Sequence, residues 1–166
     1  MKRTRFSRWP CSVARTVDLL GDWWTPLVLR EAFYGARRFE NFQSNLGIGR
    51  NILTQRLRRL VAEDVMRKKL YQRHPPRYEY RLTQKGRELF PVIATMMRWG
   101  DRWYFDGRPP VELRDRSSGC AVQALVVDEN TGRRLDVREL FTSAGPSMPK
   151  KYLGDPRFRK PELDNE

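Results

Sequence analysis

Residues that ligate metals or cross-link chains are scarce in this sequence. Cysteine occurs only at Cys11 and Cys120, and the single histidine is His74. These residues are too few for a structural zinc site, which takes about four Cys or His ligands. Two cysteines also provide no disulfide framework, which is typical of a reducing compartment. We therefore expect no metal, no cofactor and a cytoplasmic location.

Long apolar runs and catalytic motifs are also lacking. No stretch of about 18 apolar residues occurs, so we expect no membrane span. The basic start of the chain is not followed by an apolar segment of signal-peptide length. The sequence contains no G-x-S-x-G motif, no glycine-rich phosphate loop and no cluster of metal ligands. We therefore predict that the protein is not an enzyme, and we find no internal repeat.

Acidic residues are outnumbered by basic ones. The 166 residues include 33 Lys and Arg against 20 Asp and Glu, which gives a net charge of +13. Twelve Lys or Arg but only four acids lie between Arg37 and Arg81. Such a concentrated excess favours a polyanionic partner, with nucleic acid first and ribosomal or membrane-surface binding as alternatives. The length suits one domain with a small appendage.

Residues 48–63 have the pattern of a basic amphipathic helix. Leu53, Leu57, Leu60 and Val61 recur at helical spacing and predict a face that packs on a core. Asn and Gln can bond adenine bidentately, and Arg can do the same to guanine. An ordinary amphipathic helix with a solvated basic face is the alternative. The opposite face carries the predicted base-reading residues Asn51, Thr54, Gln55 and Arg58.

Short helices are predicted before this segment. The first covers residues 13–20, and the second starts with Thr25 as N-cap and Pro26 at the first helical position. The third covers Phe39–Leu46 and stops at Gly47. Residues 47–49 then form a tight turn into the basic helix, which is the helix-turn-helix arrangement.

A basic hairpin is predicted after the basic helix. Residues 65–72 and 77–83 alternate as strands, with Tyr78, Tyr80 and Leu82 on the face assigned to the core. The tip between them contains two prolines and is typical of the wing of a winged helix. Contacts to the DNA backbone or minor groove are predicted for Arg38, Arg50, Arg59, Arg73, His74 and Arg77.

An apolar helix is predicted from Gln84 to about Phe105. Thr83 is its expected N-cap, and Pro91 should kink it or divide it in two. Such a helix can close the monomer's own core or form a dimer interface, and we favour both together. The residues that would line a filled dimer core, or alternatively a ligand pocket, are Trp23, Trp24, Phe90, Met96 and Met97.

Cys11 lies at or just before the first turn of the first predicted helix. The positive end of the helix dipole and the nearby Arg8 and Arg15 favour its thiolate form. Cys11 is therefore a candidate sensor of oxidants or electrophiles. A structural, half-buried thiol is the alternative.

Several motifs follow one another in order, and the match that they form covers residues 11–103 without a gap. They are C-S-V-A-R-T-V-D-L-L-G-D-W-W-T-P-L-V-L-R (11–30), R-R-F-E-N-F (37–42), N-I-L-T-Q-R-L-R-R-L (51–60), P-P-R-Y-E-Y-R-L-T-Q-K-G (75–86) and R-W-G-D-R-W (98–103). Together they resemble the signature of the HxlR-type winged-helix regulators, which are relatives of the MarR regulators.

The resemblance implies a dimeric bacterial transcription regulator with a mainly α fold and a small β-hairpin. It implies that the first and last helices of the domain dimerise, that Arg50–Ala62 is the recognition helix and that residues 72–78 are the wing. Some members of the family use a cysteine at the position of Cys11 to sense electrophiles or oxidants. Ser12 stands where the family usually has proline.

Four regions follow from these patterns: a basic arm (1–10), the DNA-binding and dimerisation domain (11–105), a small extension (106–146) and a disordered tail (147–166). The extension resembles one that carries paired Cys-Gly motifs in a subset of the family. This chain keeps Gly119 and Cys120 but lacks the pairs, so no metal is carried over. Within the extension we predict a short buried strand (122–127), a turn (128–132) and a second strand or short helix (133–141).

The function predicted from these patterns is that of a homodimeric, sequence-specific DNA-binding regulator, more often a repressor, under thiol or small-molecule control. An RNA- or ribosome-associated binding module is the alternative, and exposed aromatic residues for base stacking would be its mark. The assignment of Tyr78 and Tyr80 to the core counts against it.

Overall fold

A computed structural model of the chain describes residue 6 and residues 8–158. Residues 19–124 form one compact unit, and the described residues among 1–18 and 125–166 form a second. The order of elements confirms the predicted α+β winged-helix class. The elements are α1 (Ser12–Leu20), α2 (Trp24–Phe33), α3 (Phe39–Leu46), α4 (Arg50–Ala62), β1 (Met66–Gln72), β2 (Arg77–Leu82), α5 (Gln84–Arg87) and α6 (Phe90–Tyr104).

The core lies where α2, α3 and α4 meet the start of β1. The predicted apolar side of α4 is confirmed: Leu53, Leu57 and Leu60, here called the buried leucine stripe, have no exposed surface, and Val61 packs beside them. Each such side chain contributes about 1.5–3 kcal/mol when fully buried. The remaining buried apolar side chains are Val28, Leu29, Phe42, Ile48, Val65, Met66 and Ala94.

The start of α2 differs from the prediction. The helix begins at Trp24, with Trp23 and not Thr25 at its N-cap position, and the side chain of Asp22 caps its first amides. Asp22 Oδ1 accepts the backbone N–H groups of Trp24 at 3.0 Å and Thr25 at 2.9 Å, while the buried Thr25 hydroxyl donates to Oδ2 at 2.5 Å. A carboxylate is favoured here because the first amides of a helix are unpaired and carry partial positive charge.

The turn between α3 and α4 follows the predicted pattern. Gly47 closes α3 in the left-handed conformation with φ of 61°, which glycine adopts without a Cβ clash. Gly49 is the N-cap of α4, and the bounds of α4 match the expected recognition helix. The helix-turn-helix is therefore present in the expected place.

The hairpin pairs its strands antiparallel, from Met66 opposite Leu82 outward, with an irregularity between Leu70 and Gln72. Tyr80 and Leu82 pack against the core, but Tyr78 is 37% exposed, so its assignment to the core was wrong. Tyr78 is the second residue of β2, near the tip of the hairpin, whereas Tyr80 and Leu82 lie nearer its base.

Arg38 forms an isolated antiparallel β-bridge with Glu79 beside the hairpin, which the sequence did not predict. The Tyr80 N–H also donates to the Arg37 carbonyl at 2.7 Å. A bridge of one residue leaves no alternating pattern in the sequence, which is why it was missed.

The long apolar helix is divided, as Pro91 predicts. Thr83 caps α5 by accepting the Gly86 N–H at 3.1 Å, and Pro91 lies in the first turn of α6. Gly86 permits a close approach of α5 to the chain before β1. A Cβ at Gly86 would lie 2.1 Å from the Val65 carbonyl oxygen.

The extension contains a structural repeat that sequence inspection had not found. Residues 113–122 and 126–135 each form a tight hairpin turn around an aspartate, Asp115 in the first and Asp128 in the second. In each turn the Asp N–H donates to the carbonyl five residues ahead, and a glycine four residues ahead donates back to the Asp carbonyl. Only Asp and Gly are shared among the central residues, so the repeat is hidden in the sequence.

The rest of the extension departs from the predictions. Residues 122–127 form no regular strand, and Val122, Leu125, Val126 and Val127 are each about half exposed, so the buried strand was wrong. The turn at 128–132 is present, and a 3-10 helix covers Val137–Glu139.

The two ends of the chain are described only in part. Residues 147–158 contain 3-10 turns at Lys150–Tyr152 and Pro156–Phe158 and no longer helix or strand, and the disorder of the tail stays a prediction. Residues 159–166 of the predicted tail, and residues 1–5 and 7 of the basic arm, lie outside the described residues.

Replacement of Gly86 by Ala should destabilise the fold. The added Cβ forces the backbone of α5 and Val65 apart, and such overpacking costs about 1–3 kcal/mol. We expect a lower denaturant midpoint. Gly100→Ala in α6 is the matched control, because its Cβ meets nothing closer than Tyr104 Cδ2 at 4.0 Å. Equal midpoints for the two variants would contradict the close approach.

The Asp115 turn should depend on the charge of its carboxylate. Hydrogen bonds from the Ser117 hydroxyl and from Ser118 hold the pKa of Asp115 far below its usual range. Because the folded pKa is lowered, the stabilisation is complete above about pH 4 and is lost as the pH falls through the folded value. An NMR titration should give a low pKa in the wild type and a higher one in Ser117→Ala. An ordinary Asp titration in the wild type would contradict this turn.

Candidate nucleic-acid interface

The outward face of α4 presents most of the predicted base-reading side chains. Asn51, Gln55 and Arg58 are exposed, whereas Thr54 is half-buried. The Thr54 hydroxyl donates to the Arg50 carbonyl at 2.8 Å, so its hydrogen is used within the helix. Thr54 therefore offers a methyl group and an oxygen acceptor, while the other three side chains keep polar groups directed at solvent.

Arg56 faces differently from the other arginines of α4. Its Nε lies 2.8 Å from Asp22 Oδ1, and the side chains of Arg56 and Asp22 are 21% and 14% exposed. The sequence marks Arg56 only as one of the basic residues between Arg37 and Arg81. Its partner Asp22 lies 34 positions earlier, so no local sequence pattern indicates this ion pair.

Two of the predicted backbone-binding arginines lie against aromatic rings. Arg38 Cζ is 4.5 Å from the centre of the Tyr71 ring, and Arg50 Cζ is 5.4 Å from that of Phe39. Cation–π contact of this kind favours one orientation of a guanidinium and leaves its N–H edge available to an acceptor. Arg38 precedes α3 and Arg50 begins α4, so both lie at helix N-termini.

The tip of the hairpin is open to solvent. Arg73, His74 and Arg77 are exposed, and Gln72 Nε2 donates to the His74 carbonyl at 3.0 Å. Lys68 adds a cation that sequence analysis did not assign, with its Nζ 3.8 Å from the centre of the Tyr78 ring. Alternation along β1 and β2 is the signal that could have placed Lys68 and Tyr78 on one face.

Charged groups surround the base of the hairpin. Burial raises the pKa of the Tyr80 phenol, and the nearby charges of Arg58 and Glu40 act on it in opposite directions. The Arg81 guanidinium, 2.8 Å from Glu79, holds the pKa of that carboxyl below its usual value, and Arg37 and Arg38 add to this effect. Arg81 is thus paired with Glu79 inside the domain.

A buried carboxylate links α2 to α3. Glu31 in α2 is 5% exposed, and its oxygens accept Arg30 Nη2 at 2.7 Å and Asn45 Nδ2 at 2.8 Å. Because Asn45 is in α3, this side chain joins α2 to α3.

Arg59, another predicted backbone contact, is half-buried on α4.

The aromatic and methionine residues proposed for a pocket have separate environments. Trp24 is half-buried against the core, but Trp23 is 90% exposed and is no core anchor. Phe90 packs edge-to-face on Phe33 with ring centres 5.2 Å apart. The Tyr34 hydroxyl lies 3.9 Å from Met97 Sδ, whereas Met96 is more than half exposed.

One side of α6 is an exposed apolar stripe. Val92, Met96, Trp99 and Trp103 recur at helical spacing and are 37–62% exposed. The residues of α1 include none that is buried, and Val13 and Val17 are exposed. Both helices therefore carry apolar surface that the described part of one chain leaves uncovered.

Cys11 lies immediately before α1, as predicted. The thiol is exposed in the single chain, and Sγ accepts the Ala14 N–H at 3.4 Å. Cys120 is also exposed. Within the described residues no three His, Cys, Asp or Glu side chains are grouped as metal ligands, and no helix is long and apolar enough to cross a membrane.

Comparison with known sequences identifies related regulators. Residues 19–107 match the model of the HxlR-like helix-turn-helix family. An HTH-type transcriptional regulator of Mycobacterium tuberculosis is 39% identical over 141 residues, which cover 84% of this chain and 89% of the relative. One from Synechocystis is 42% identical over 94 residues, which cover 56% of this chain and 70% of the relative.

Solved structures share the same fold. PA1607, a proposed transcription factor, superposes with a TM-score of 0.76 at 38% identity and covers 86% of this chain and all of its own. The redox regulator HypR in its oxidised form gives a TM-score of 0.52 at 33% identity, covering 55% of this chain and 96% of that one. The first comparison thus covers most of this chain and the second little more than half of it.

Proposed function

The chain belongs to the HxlR-like helix-turn-helix family of transcriptional regulators, and we propose that it acts as a cytoplasmic, nucleoid-associated homodimer that binds a specific operator and represses transcription. One observation carries this proposal. The buried leucine stripe holds α4 on the core, and the opposite side of α4 presents polar side chains beside a basic hairpin tip. A helix and hairpin so arranged match a major groove and the adjacent backbone.

The polar and charged residues of this surface fall into two proposed roles, base reading and phosphate contact. Asn51, Gln55 and Arg58 offer donors and acceptors to base edges, and Thr54 offers its methyl group. Phosphate contacts position a protein on DNA without reading sequence. For those contacts we propose Arg38, Arg50, Arg59, Arg73, His74 and Arg77.

The apolar surface that α1 and α6 each leave uncovered supports the proposed dimerisation. Four large side chains in the stripe of α6 are at least a third exposed, and contiguous apolar surface of this kind marks an interface. A second copy of the chain would cover it, and two recognition helices would then read two half-sites about one helical turn apart. Bound there, the dimer would obstruct the promoter.

RNA binding is the less favoured alternative. Tyr78 is exposed, which an RNA-binding surface would require, but Lys68 Nζ covers its ring at 3.8 Å. Tyr80 is packed against the core. The hairpin therefore offers no open pair of aromatic faces for stacked bases.

Replacements of Arg58 and Arg73 should separate reading from positioning. A duplex enriched by the wild type from a random pool serves as the selected site, and an unrelated duplex serves as the comparison. Arg58→Ala should cost about 1–3 kcal/mol on the selected duplex only. Arg73→Ala should weaken both duplexes alike and lower the salt slope by about one. Unchanged binding in Arg58→Ala would contradict the groove assignment.

Thiol control through Cys11 is proposed on its exposure and on its place at the start of α1. The likeness to the redox regulator HypR supports it. N-ethylmaleimide alkylates a thiol: sulfur bonds to one carbon of the maleimide double bond and a proton goes to the other. This treatment should change DNA affinity in the wild type and in Cys120→Ser. Cys11→Ser should not respond. A response that follows Cys120 instead would overturn the assignment.

A further inference from the structure

The side chain of Arg56 is held inside the domain although it stands in the middle of α4. It lies between the exposed Gln55 and the buried Leu57, and only 21% of it is exposed. Its Nε is 2.8 Å from Asp22 Oδ1, in the segment that joins α1 to α2. An arginine withdrawn from solvent in this way is stable only beside a negative partner.

Asp22 does not need Arg56 to cap α2. Its two oxygens already accept the N–H groups of Trp24 and Thr25 and the Thr25 hydroxyl. Arg56 Nε is buried and has no well-aligned hydrogen bond within the described residues, so the contact with Asp22 is an ion pair. The effect specific to this pair is therefore to join the middle of α4 to the start of α2.

The position of Arg56 lets it affect the side chains that we propose read bases. It is adjacent to Gln55 and two residues from Arg58. Burial of the leucine stripe is non-directional and permits small rotations of the helix, whereas a binding constellation must be held within about 0.5 Å and 10–20°. A charge pair at the edge of the stripe restricts those rotations.

We propose that the Asp22–Arg56 ion pair sets the orientation of α4 for base reading, so that Arg56 is a positioning residue and not a DNA contact. This inference rests on the proposed function. It assigns to Asp22 two tasks, the cap of α2 and the orientation of α4, which different substitutions can separate.

Asp22→Asn is the sharpest test of the pair. Asn is as good an N-cap as Asp, so α2 keeps its cap while the ion pair is lost. The substitution also makes the protein one unit more positive, and charge alone would then strengthen DNA binding. Arg56→Gln removes the other partner, and Arg56→Lys keeps the charge but loses the Nε contact. Arg116→Gln, at an exposed site in the extension, is the matched charge control for Arg56→Gln.

Affinities for the selected and the unrelated duplex should be measured over a range of salt. Asp22→Asn and Arg56→Gln should each lose about 10- to 100-fold on the selected duplex, equivalent to one or two well-placed base contacts. On the unrelated duplex Arg56→Gln should stay within about two-fold of the control and Asp22→Asn within about two-fold of the wild type, each with an unchanged salt slope. The double variant should be no worse than the single ones, because the two residues act through one contact.

Other results overturn the proposal. A salt slope lowered by about one in Arg56→Gln, with stronger binding in Asp22→Asn, would make Arg56 a phosphate contact. Parallel losses on both duplexes, together with a lower melting temperature, would make the pair merely structural. If the wild type enriches no duplex, the proposed function fails and this inference fails with it. If only these variants behave unexpectedly, the inference fails alone.

Discussion

Burial of one side of α4 is the constraint on which the candidate DNA-binding surface depends. With the buried leucine stripe turned to the core, the helical period directs Asn51, Gln55 and Arg58 to solvent. The turn at Gly47 leads into this helix, and the hairpin that starts at Met66 follows it with a basic segment. The same apolar contacts that fold the domain therefore decide which side chains are available to DNA.

Charged groups inside the motif add direction to this apolar packing. Glu31 joins α2 to α3 through Asn45, and Asp22 joins the start of α2 to Arg56 in α4. Hydrophobic contact alone specifies that helices pack but leaves their rotation loosely defined. Buried polar and ionic contacts fix register more narrowly, and in this domain they lie next to the helix that we propose reads sequence.

Local patterns predicted the parts of the fold that local patterns determine. The bounds of α3 and α4, the turn at Gly47 and the break at Pro91 each depend on a few neighbouring residues, and the sequence indicated them correctly. Contacts between distant positions were missed, such as the Asp22–Arg56 pair and the bridge at Arg38.

The extension was predicted least well. Its paired turns around Asp115 and Asp128 depend on carboxylate hydrogen bonds, which several residue types can complete, so the repeat leaves little identity in the sequence. The exposed residues 122–127 were expected to be buried because apolar runs usually are, and the described part of a single chain does not cover them.

Amide chemical-shift mapping with a duplex selected by the protein tests the central claim most directly. The account predicts that the largest changes occur along the outward face of α4 and at residues 72–78, with little change in α6. Large changes confined to the extension or α6, with α4 unaffected, would contradict it.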